Sequence, residues 1–254
     1  MIKRGDFSQL VSNYLKYRPS YNKMLTRKIV KKISLSPKNI KAVDVGSGTG
    51  IFAKCLYECG LRDIIAIEPN NKMRLAGSKS LGNKIRFLKG TAEKTNLPYN
   101  SFDLITMASS FHWTTINKSL DEFNKLLKRN GIFVAIWNPR LTERSEPENQ
   151  IQQILDKKYN LKSRVSSGLS GITKNLTETL KKSNFFKKVT YLESVDIIKR
   201  SHEEYIGAWL SVNDVQSQLG KTKFMKFMED VNKIINNYKY VEVHYLTRAW
   251  IASK

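Results

Sequence analysis

The chain has 254 residues, of which 41% are hydrophobic and 10% aromatic, and this predicts one globular domain with a helical insertion. No apolar run approaches 18 residues and residues 1–6 are charged, so we expect no membrane span and no signal peptide, and we predict a cytoplasmic protein. The net charge is +22, and the two cysteines, Cys55 and Cys59, are interpreted as reduced residues without a metal site.

The positive charge is uneven along the chain. Residues 1–41 hold 11 lysines and arginines and a single acid, Asp6. Such a balance favours a polyanionic partner such as RNA. However, 32 of the 44 basic residues are lysine. Arginine binds phosphate groups better than lysine does, because its planar guanidinium can donate two parallel hydrogen bonds. Compositional bias is therefore the preferred interpretation, with nucleic-acid binding as the alternative.

The predicted elements change character along the chain. Apolar residues at helical spacing predict two helices within residues 6–34, separated at Pro19. Strands at 42–45, 64–67, 85–88, 102–107 and 131–137 then alternate with helices at 50–58, 71–80 and 119–129. This alternation predicts a parallel sheet with right-handed crossovers.

After Pro139 the alternation stops. Helices are predicted at 147–159 and 177–182, from a capping box at 201–204, and at 221–236. Strands are predicted at 189–198 and 240–252. We expect these two late strands to form an antiparallel pair at the sheet edge, with the helices inserted between them.

A glycine-rich stretch, Val43-Asp44-Val45-Gly46-Ser47-Gly48-Thr49-Gly50, joins the first predicted strand to the following helix. Glycines at such a turn let the backbone approach a ligand closely. Glu68 ends the second strand, where a carboxylate can accept hydrogen bonds from both ribose hydroxyls. A dinucleotide fingerprint requires glycine where this chain has Ile51, so S-adenosylmethionine is favoured over NAD.

These motifs resemble those of class I S-adenosylmethionine-dependent methyltransferases. The chain is more closely similar to the type 11, trans-aconitate methyltransferase-like branch, which acts on small molecules. Besides the glycine motif, the resemblance rests on Tyr17-Arg18-Pro19-Ser20-Tyr21, Ile67-Glu68-Pro69-Asn70, Gly90-Thr91-Ala92-Glu93 and Phe111-His112-Trp113. It implies an α/β, Rossmann-like, doubly wound sheet of seven strands, mostly parallel with an antiparallel last strand, plus N-terminal helices and a helical insertion.

The same resemblance implies a binding site for S-adenosyl-L-methionine, whose product is S-adenosyl-L-homocysteine. In it, Arg18 meets the cofactor carboxylate, Glu68 binds ribose, and Ala92 offers its backbone N–H to adenine. The full set of implied cofactor residues is Arg18, Asp44, Gly46, Ser47, Gly48, Glu68, Pro69, Met73, Thr91, Ala92, Glu93, Ala108 and Ser109.

Methyl transfer from a sulfonium is a direct displacement onto an oxygen, nitrogen or carbon nucleophile, so few catalytic groups are needed. His112 is the candidate general base, with packing of the loop beside Trp113 as the alternative. Five aromatic side chains are candidates for the acceptor pocket, with a core position as the alternative for each. They are Tyr14, Tyr17, Trp113, Tyr205 and Trp209.

We predict three parts: a helical cap at 1–40, the cofactor-binding core at 41–140, and a helical insertion or lid with the last strands at 141–254. The predicted function is methyl transfer to a small-molecule acceptor by a monomer or homodimer without a membrane partner. The alternatives are an RNA or tRNA methyltransferase that uses the basic surface, and a non-catalytic regulatory protein that binds S-adenosylmethionine.

Overall fold

A computed structural model describes residues 5–161, 168–169 and 171–254. Within them, the sheet has seven strands in the order β3-β2-β1-β4-β5-β7-β6. The strands are β1 (Lys41–Val45), β2 (Asp63–Ile67), β3 (Arg86–Leu88), β4 (Phe102–Ala108), β5 (Leu127–Trp137), β6 (Lys188–Arg200) and β7 (Val241–Ser253). The first five strands pair in parallel, whereas β7 runs antiparallel to both β5 and β6. The predicted fold class is therefore confirmed.

Helices flank both faces of this sheet. They are α1 (Val11–Tyr17), α2 (Lys23–Val30), α3 (Ile51–Glu58), α4 (Asn71–Leu81), α5 (Ile116–Leu126), α6 (Glu146–Lys157), α7 (Leu176–Lys182), α8 (His202–Leu210) and α9 (Asn213–Ile235). Several begin at side-chain caps: Asn22 caps α2, Asn70 caps α4, and the predicted capping box of Ser201 and Glu204 starts α8. A cap of this kind contributes about 1 kcal/mol to helix stability.

Three apolar clusters form the core. One face of the sheet packs against α5 and α7, and the other packs against α2 and α3. The third cluster joins α6, α8 and α9 to the end of β7 that carries Val241, Val243 and Tyr245. Residues after Pro139 thus complete the central sheet and also build a helical layer beside it.

Three predicted boundaries are wrong. The helix predicted at 119–129 ends at Leu126, and the strand predicted from Gly131 already begins at Leu127, because Leu127 pairs with Phe102 ahead of a register shift. The helix predicted from residue 221 begins at Asn213. It is interrupted at Gly220, whose φ of 70° and ψ of 168° break the helical periodicity that the sequence pattern relies on.

Candidate cofactor and acceptor site

The glycine loop follows β1 and is shaped by three left-handed residues. Gly46, Gly48 and Gly50 have φ angles of 64°, 58° and 82°. A Cβ atom on Gly46 would lie 2.8 Å from both Cβ and Oγ of Ser110, and one on Gly48 would lie 3.3 Å from Cε of Met73. These positions therefore require glycine for conformation and for space.

Glu68 anchors this loop from the end of β2. Its Oε2 accepts a 2.7 Å hydrogen bond from the backbone N–H of Gly48, and its Oε1 accepts one of 2.8 Å from the N–H of Asn70. Each carboxylate oxygen keeps a further lone pair for a ligand. Burial raises the pKa of Glu68, and the two backbone hydrogen bonds oppose that shift. The carboxylate lines a cavity of about 590 Å³, a volume typical of ligand pockets.

Arg18 lies at another wall of the same cavity, just after α1. One guanidinium nitrogen, Nη2, donates to the carbonyl oxygen of Ser211 over 3.0 Å, and the group lies 5.1 Å from the centre of the Tyr14 ring. In the part of the chain that the structure describes, Nε of Arg18 and Oγ of Ser47 are buried without a hydrogen-bond partner. Both residues line the cavity, so a donor and a hydroxyl are available to a polar ligand.

Asp44 lies directly beneath the loop rather than in the cavity wall. Its side chain is inaccessible to solvent, and Oδ1 accepts a 2.7 Å hydrogen bond from Oγ1 of Thr106. Oδ2 is buried and has no hydrogen-bond partner among the described residues. Burial raises the pKa of Asp44 to about 7, although hydrogen bonds from Thr106 and from the backbone of Ala53 act to lower it.

This raised pKa predicts a pH-dependent stability. Between its ordinary value of 3.8 and about 7, Asp44 is protonated in the folded protein and ionised in the unfolded chain. The free energy of unfolding should therefore fall as the pH rises through this window, by roughly 2–4 kcal/mol from this group. Asp44→Asn should remove that contribution, so the variant gains stability over the wild type at pH 7.5 but not at pH 4. Urea unfolding at both pH values, without ligand, measures the difference; an equal difference at both would contradict the assignment.

The loop after β3 holds the predicted adenine residues. Thr91, Ala92 and Glu93 all line the cavity, and the backbone N–H of Thr91 is bonded to the carbonyl of Lys94. Glu93 accepts a 2.8 Å hydrogen bond from the backbone N–H of Thr115, which joins this loop to the start of α5. The Glu93 carboxylate thus also fixes the shape of the cavity wall.

The end of β4 supplies a part of the cavity wall that is rich in hydroxyl groups. Ser109 adopts a φ of 53°, and its Oγ lies 2.9 Å from the phenol oxygen of Tyr21. Ser110 donates from Oγ to the carbonyl of Val45 over 3.0 Å, which ties β4 to the glycine loop. Ala108 and Ser109 were predicted here, whereas Tyr21 and Ser110 were missed as lining residues. Tyr21 belongs to the N-terminal motif but was used only to support the resemblance.

His112 lies in a short 3₁₀ turn, Phe111–Trp113, after β4. Its Nδ1 accepts a 3.3 Å hydrogen bond from the indole nitrogen of Trp137, and its ring lies 4.6 Å from that of Trp113. The structure does not bring His112 into the cavity lining, in contrast to Trp113. With Nδ1 accepting, the proton of a neutral imidazole lies on Nε2, so the lone pair that a base would use is already engaged.

The predicted aromatic wall is only partly assembled. Tyr14 and Trp113 line the cavity, but Tyr17, Tyr205 and Trp209 do not. Tyr17 donates to Glu203 of α8, Tyr205 is buried and donates to Glu148, and Trp209 packs on Arg140 and Phe227. These three aromatic side chains hold the helices together. The residues missed by the sequence interpretation include Phe7, Asn138, Arg140 and Tyr245.

The cavity continues past the cofactor residues toward β5 and β7. This part is lined by Asn138, Arg140, Thr142, Gln152 and Tyr245. Nη1 of Arg140 is paired with Oε1 of Glu148 over 2.8 Å, and its guanidinium lies 4.2 Å from the Trp209 ring. Burial lowers the pKa of the Arg140 guanidinium, but the Glu148 carboxylate together with Tyr205 and Tyr245 outweighs that effect, so the pKa is raised overall. The second part of the cavity is thus polar and held rigidly.

The N-terminal segment covers part of the cavity. Asn213, at the start of α9, accepts from the backbone N–H of Gly5 and donates to the carbonyl of Asp6, both over 2.8 Å. Asn70 donates to Oγ of Ser8 over 2.9 Å, so the segment is also tied to the loop after β2. Phe7 lines the cavity from this segment.

The contact between α1 and α8 depends on a glycine. A Cβ atom on Gly207 would overlap the ring of Tyr17. We expect Gly207→Ala to push α1 outward and to increase trypsin cleavage within residues 5–20, because the covering segment is then held by fewer contacts. In the double variant Gly207→Ala/Tyr17→Ala the overlap is gone, so its cleavage rate should be close to that of Tyr17→Ala alone. Unchanged cleavage in Gly207→Ala would show that α1 does not depend on this contact.

Two further properties of the described residues concern membranes and metal ions. None of the described helices is long and apolar enough to cross a membrane. No group of three or more His, Cys, Asp or Glu side chains within the described ranges is arranged to hold a metal ion.

Known proteins resemble this chain in sequence and in fold. Residues 43–135 match the profile of a methyltransferase domain. A protein of Dictyostelium discoideum provisionally named a methyltransferase is 29% identical over 153 residues, which cover 60% of this chain and 56% of the relative. The match thus spans only about half of that relative's length.

Solved structures show the same fold at low sequence identity. A protein from Anaeromyxobacter dehalogenans, provisionally described as a type II methyltransferase, has a TM-score of 0.68 and 16% identity, over 93% of this chain and 98% of that one. Phosphoethanolamine N-methyltransferase 2 of Haemonchus contortus, solved with S-adenosyl-L-methionine, has a TM-score of 0.51 and 13% identity, over 97% of this chain and 56% of that one.

Residues 43–135 thus match a methyltransferase domain, and the seven-stranded sheet that contains them has the Rossmann-like fold of these solved structures.

Proposed function

We propose that this chain transfers a methyl group from S-adenosyl-L-methionine to a small-molecule acceptor. The observation that carries the proposal is one cavity that is lined both by the glycine loop with Glu68 and by polar residues around Arg140. The N-terminal segment covers part of it. A cavity of about 590 Å³ suits a small acceptor better than a polymer.

The chemistry of the lining residues fits the cofactor. Gly46 and Gly48 keep the loop free of side chains where a Cβ would come close to Ser110 and Met73, and the buried Nε of Arg18 and Oγ of Ser47 have no described hydrogen-bond partner. We assign Glu68 to the ribose hydroxyls and Arg18 to the carboxylate. We also keep the predicted residues Asp44, Pro69, Met73, Thr91, Ala92, Glu93, Ala108 and Ser109 in the cofactor site.

When bound, S-adenosyl-L-methionine supplies a methyl group that its sulfonium charge activates for direct displacement. The protein's part is to orient the acceptor and to limit the access of water to the reacting atoms. Arg140, Tyr245 and Trp113 are the groups in position to orient an acceptor. We assign His112 to the packing of the loop under Trp113, since its Nδ1 already accepts from Trp137.

The predicted division into a cap at 1–40, a core at 41–140 and a lid with the last strands at 141–254 is retained as part of this proposal. The cap contributes Tyr14, Arg18 and Tyr21 to the cavity, and the third part contributes Gln152 and Tyr245. The membership in the trans-aconitate methyltransferase-like branch is likewise proposed.

The experiment has two stages. Thermal unfolding with S-adenosyl-L-homocysteine should show stabilisation that grows with ligand concentration, as expected for a ligand that binds the folded state. Incubation of the protein with methyl-labelled cofactor and a panel of small carboxylates, amines, phenols and thiols should then label at least one acceptor. Stabilisation without transfer to any compound or to RNA would support the non-catalytic alternative.

A further inference from the structure

The outer edge of the sheet is formed by β6, which pairs on one side only. Its 13 residues pair with β7 without interruption, from Lys188 opposite Ser253 to Arg200 opposite Val241. No other described strand neighbours β6. The strand contains no proline and its pairing shows no bulge, two of the devices that protect an edge from further pairing, although it carries the charged residues Glu193, Asp196 and Lys199.

One face of β6 is open along its whole length. Residues with odd numbers from 191 to 199 are exposed, whereas those with even numbers between them are partly covered. The open face includes Tyr191, Val195 and Ile197, which are 38%, 38% and 58% exposed. Lone exposed apolar residues are ordinary, but here they alternate along one edge strand.

The far half of β6 lies beyond the strand pairing of β5 with β7. β5 pairs with β7 over residues 248–253, and an isolated bridge between Arg140 and Tyr245 continues that side, so β6 from 194 to 200 and β7 from 241 to 247 form a ribbon that is bordered on its β7 side by this bridge. Helices α6, α8 and α9 cover one face of this ribbon through Val241, Val243 and Tyr245. Its other face carries Val195 and Ile197 and has room for another strand at its edge.

We propose that a second copy of this chain occupies this edge, with the two β6 strands antiparallel about a two-fold axis at Asp196. In this register, Val195 of each copy lies opposite Ile197 of the other, and Glu193 lies opposite Lys199. Each pair occurs twice because a two-fold interface is self-complementary. Both the apolar pairs and the ion pairs are of the kinds that stabilise neighbouring strands.

The Glu193 side chain favours this register over its two neighbours. A shift by two residues in one direction places Glu193 opposite Ile197, and a shift in the other direction places it opposite Ser201. Of these three registers, only the one centred on Asp196 places Glu193 opposite a lysine. Shifts by one residue are excluded because they would place side chains on opposite faces.

The other face of the strand brings the two Asp196 carboxylates of the dimer close together, and nearby groups compensate for their repulsion. The two Asp196 residues lie opposite each other, and each accepts a 2.7 Å hydrogen bond from Nδ2 of its own Asn22. Asn22 caps α2, which carries the exposed cations Lys23, Arg27 and Lys28. The acidic pair therefore lies between two basic helices and offsets part of their mutual repulsion, which salt at about 0.15 M also screens.

Sedimentation velocity at about 0.15 M salt tests the proposal on the full chain. The wild type should sediment as a dimer at micromolar concentrations, and Ile197→Asp should sediment as a monomer at the same concentration. Leu75→Asp is the matched control, because Leu75 is 59% exposed on α4 and away from β6, so this variant should remain dimeric. A monomeric wild type up to about 100 µM, or a dimeric Ile197→Asp, would overturn the proposal.

Charge reversal tests the register itself. Glu193→Lys and Lys199→Glu should each raise the dissociation constant of the dimer roughly tenfold or more, since each brings like charges together at both symmetric positions. The double variant restores opposite charges and should recover most of the wild-type affinity. Failure of the double variant to recover would rule out this register. The substituted residues Glu193, Ile197, Lys199 and Leu75 lie outside the cavity, so binding of S-adenosyl-L-homocysteine should be the same in all variants. The oligomeric state and ligand binding are therefore measured independently, which distinguishes a failure of this proposal from a failure of the proposed function.

Discussion

Glu68→Ala is expected to lower the affinity for S-adenosyl-L-homocysteine by about 10²-fold or more. In the proposed site this carboxylate accepts two hydrogen bonds from the ribose, and a hydrogen bond to a charged group contributes about 1.5–3 kcal/mol. The substitution also removes the acceptor of the backbone N–H groups of Gly48 and Asn70, so the glycine loop loses its anchor. Isothermal titration calorimetry measures the change.

Two comparisons make this test specific. Glu58→Ala removes a glutamate that is exposed at the end of α3 and paired only with Lys54, over 3.7 Å, so its affinity should match the wild type. Glu68→Gln keeps the side-chain shape but points an NH₂ group at one of the two backbone donors, and its affinity should also fall. Wild-type affinity in Glu68→Ala would show that the ribose is bound elsewhere.

Gly46→Ala is expected to have the second large effect, on both folding and binding. The left-handed φ of 64° costs a residue with a side chain roughly 1–2 kcal/mol, and the new Cβ would lie 2.8 Å from Ser110. Overpacking of this kind typically adds 1–3 kcal/mol. We therefore expect the free energy of unfolding to fall by about 2–5 kcal/mol, measured by urea unfolding, together with a loss of cofactor affinity.

Gly171→Ala separates the two causes. Gly171 has a φ of 67°, almost the same as that of Gly46, but a Cβ there would meet no atom of the described residues within 4 Å. This variant should lose only the conformational part, about 1–2 kcal/mol, and should bind the cofactor normally. Equal losses in the two variants would mean that Ser110 can move away and that the loop is not constrained by its packing.

The cofactor half of the site could be predicted from the sequence for a physical reason. Parallel strands end at the same edge of a sheet, so residues that follow β1, β2, β3 and β4 in the chain must lie together in space. Gly46, Glu68, Ala92 and Ser109 each follow one of these strands, and all line the cavity. The alternation of strands and helices also sufficed to predict the sheet.

The acceptor half could not be predicted in the same way. Arg140 and Tyr245 lie more than 100 residues apart in the sequence, and the isolated bridge that pairs them forms only after β7 inserts beside β5. No local sequence pattern predicts the contact between Arg140 and Tyr245. Tyr205 and Trp209 sit at helical spacing on α8, but spacing alone does not tell which neighbour a helix face meets, and both pack into the helical core.

The limits of element prediction have similar causes. Leu127 continues the apolar pattern of α5, yet tertiary pairing with Phe102 makes it the first residue of β5. His112 follows β4, and its Nδ1 accepts a hydrogen bond from the buried indole of Trp137 in the next strand. In both cases the structure shows a long-range contact that the local sequence does not indicate, while the catalytic role of His112 stays a prediction.

The most direct measurement of the central claim follows the fate of the labelled methyl group. The purified protein is incubated with methyl-tritiated S-adenosyl-L-methionine and a cell extract, and the product is separated into small molecules, RNA and protein. The account predicts label in the small-molecule fraction, reduced in parallel with cofactor affinity in Glu68→Ala and unchanged in Glu58→Ala. Label that appears in RNA, and in no small molecule, would contradict it.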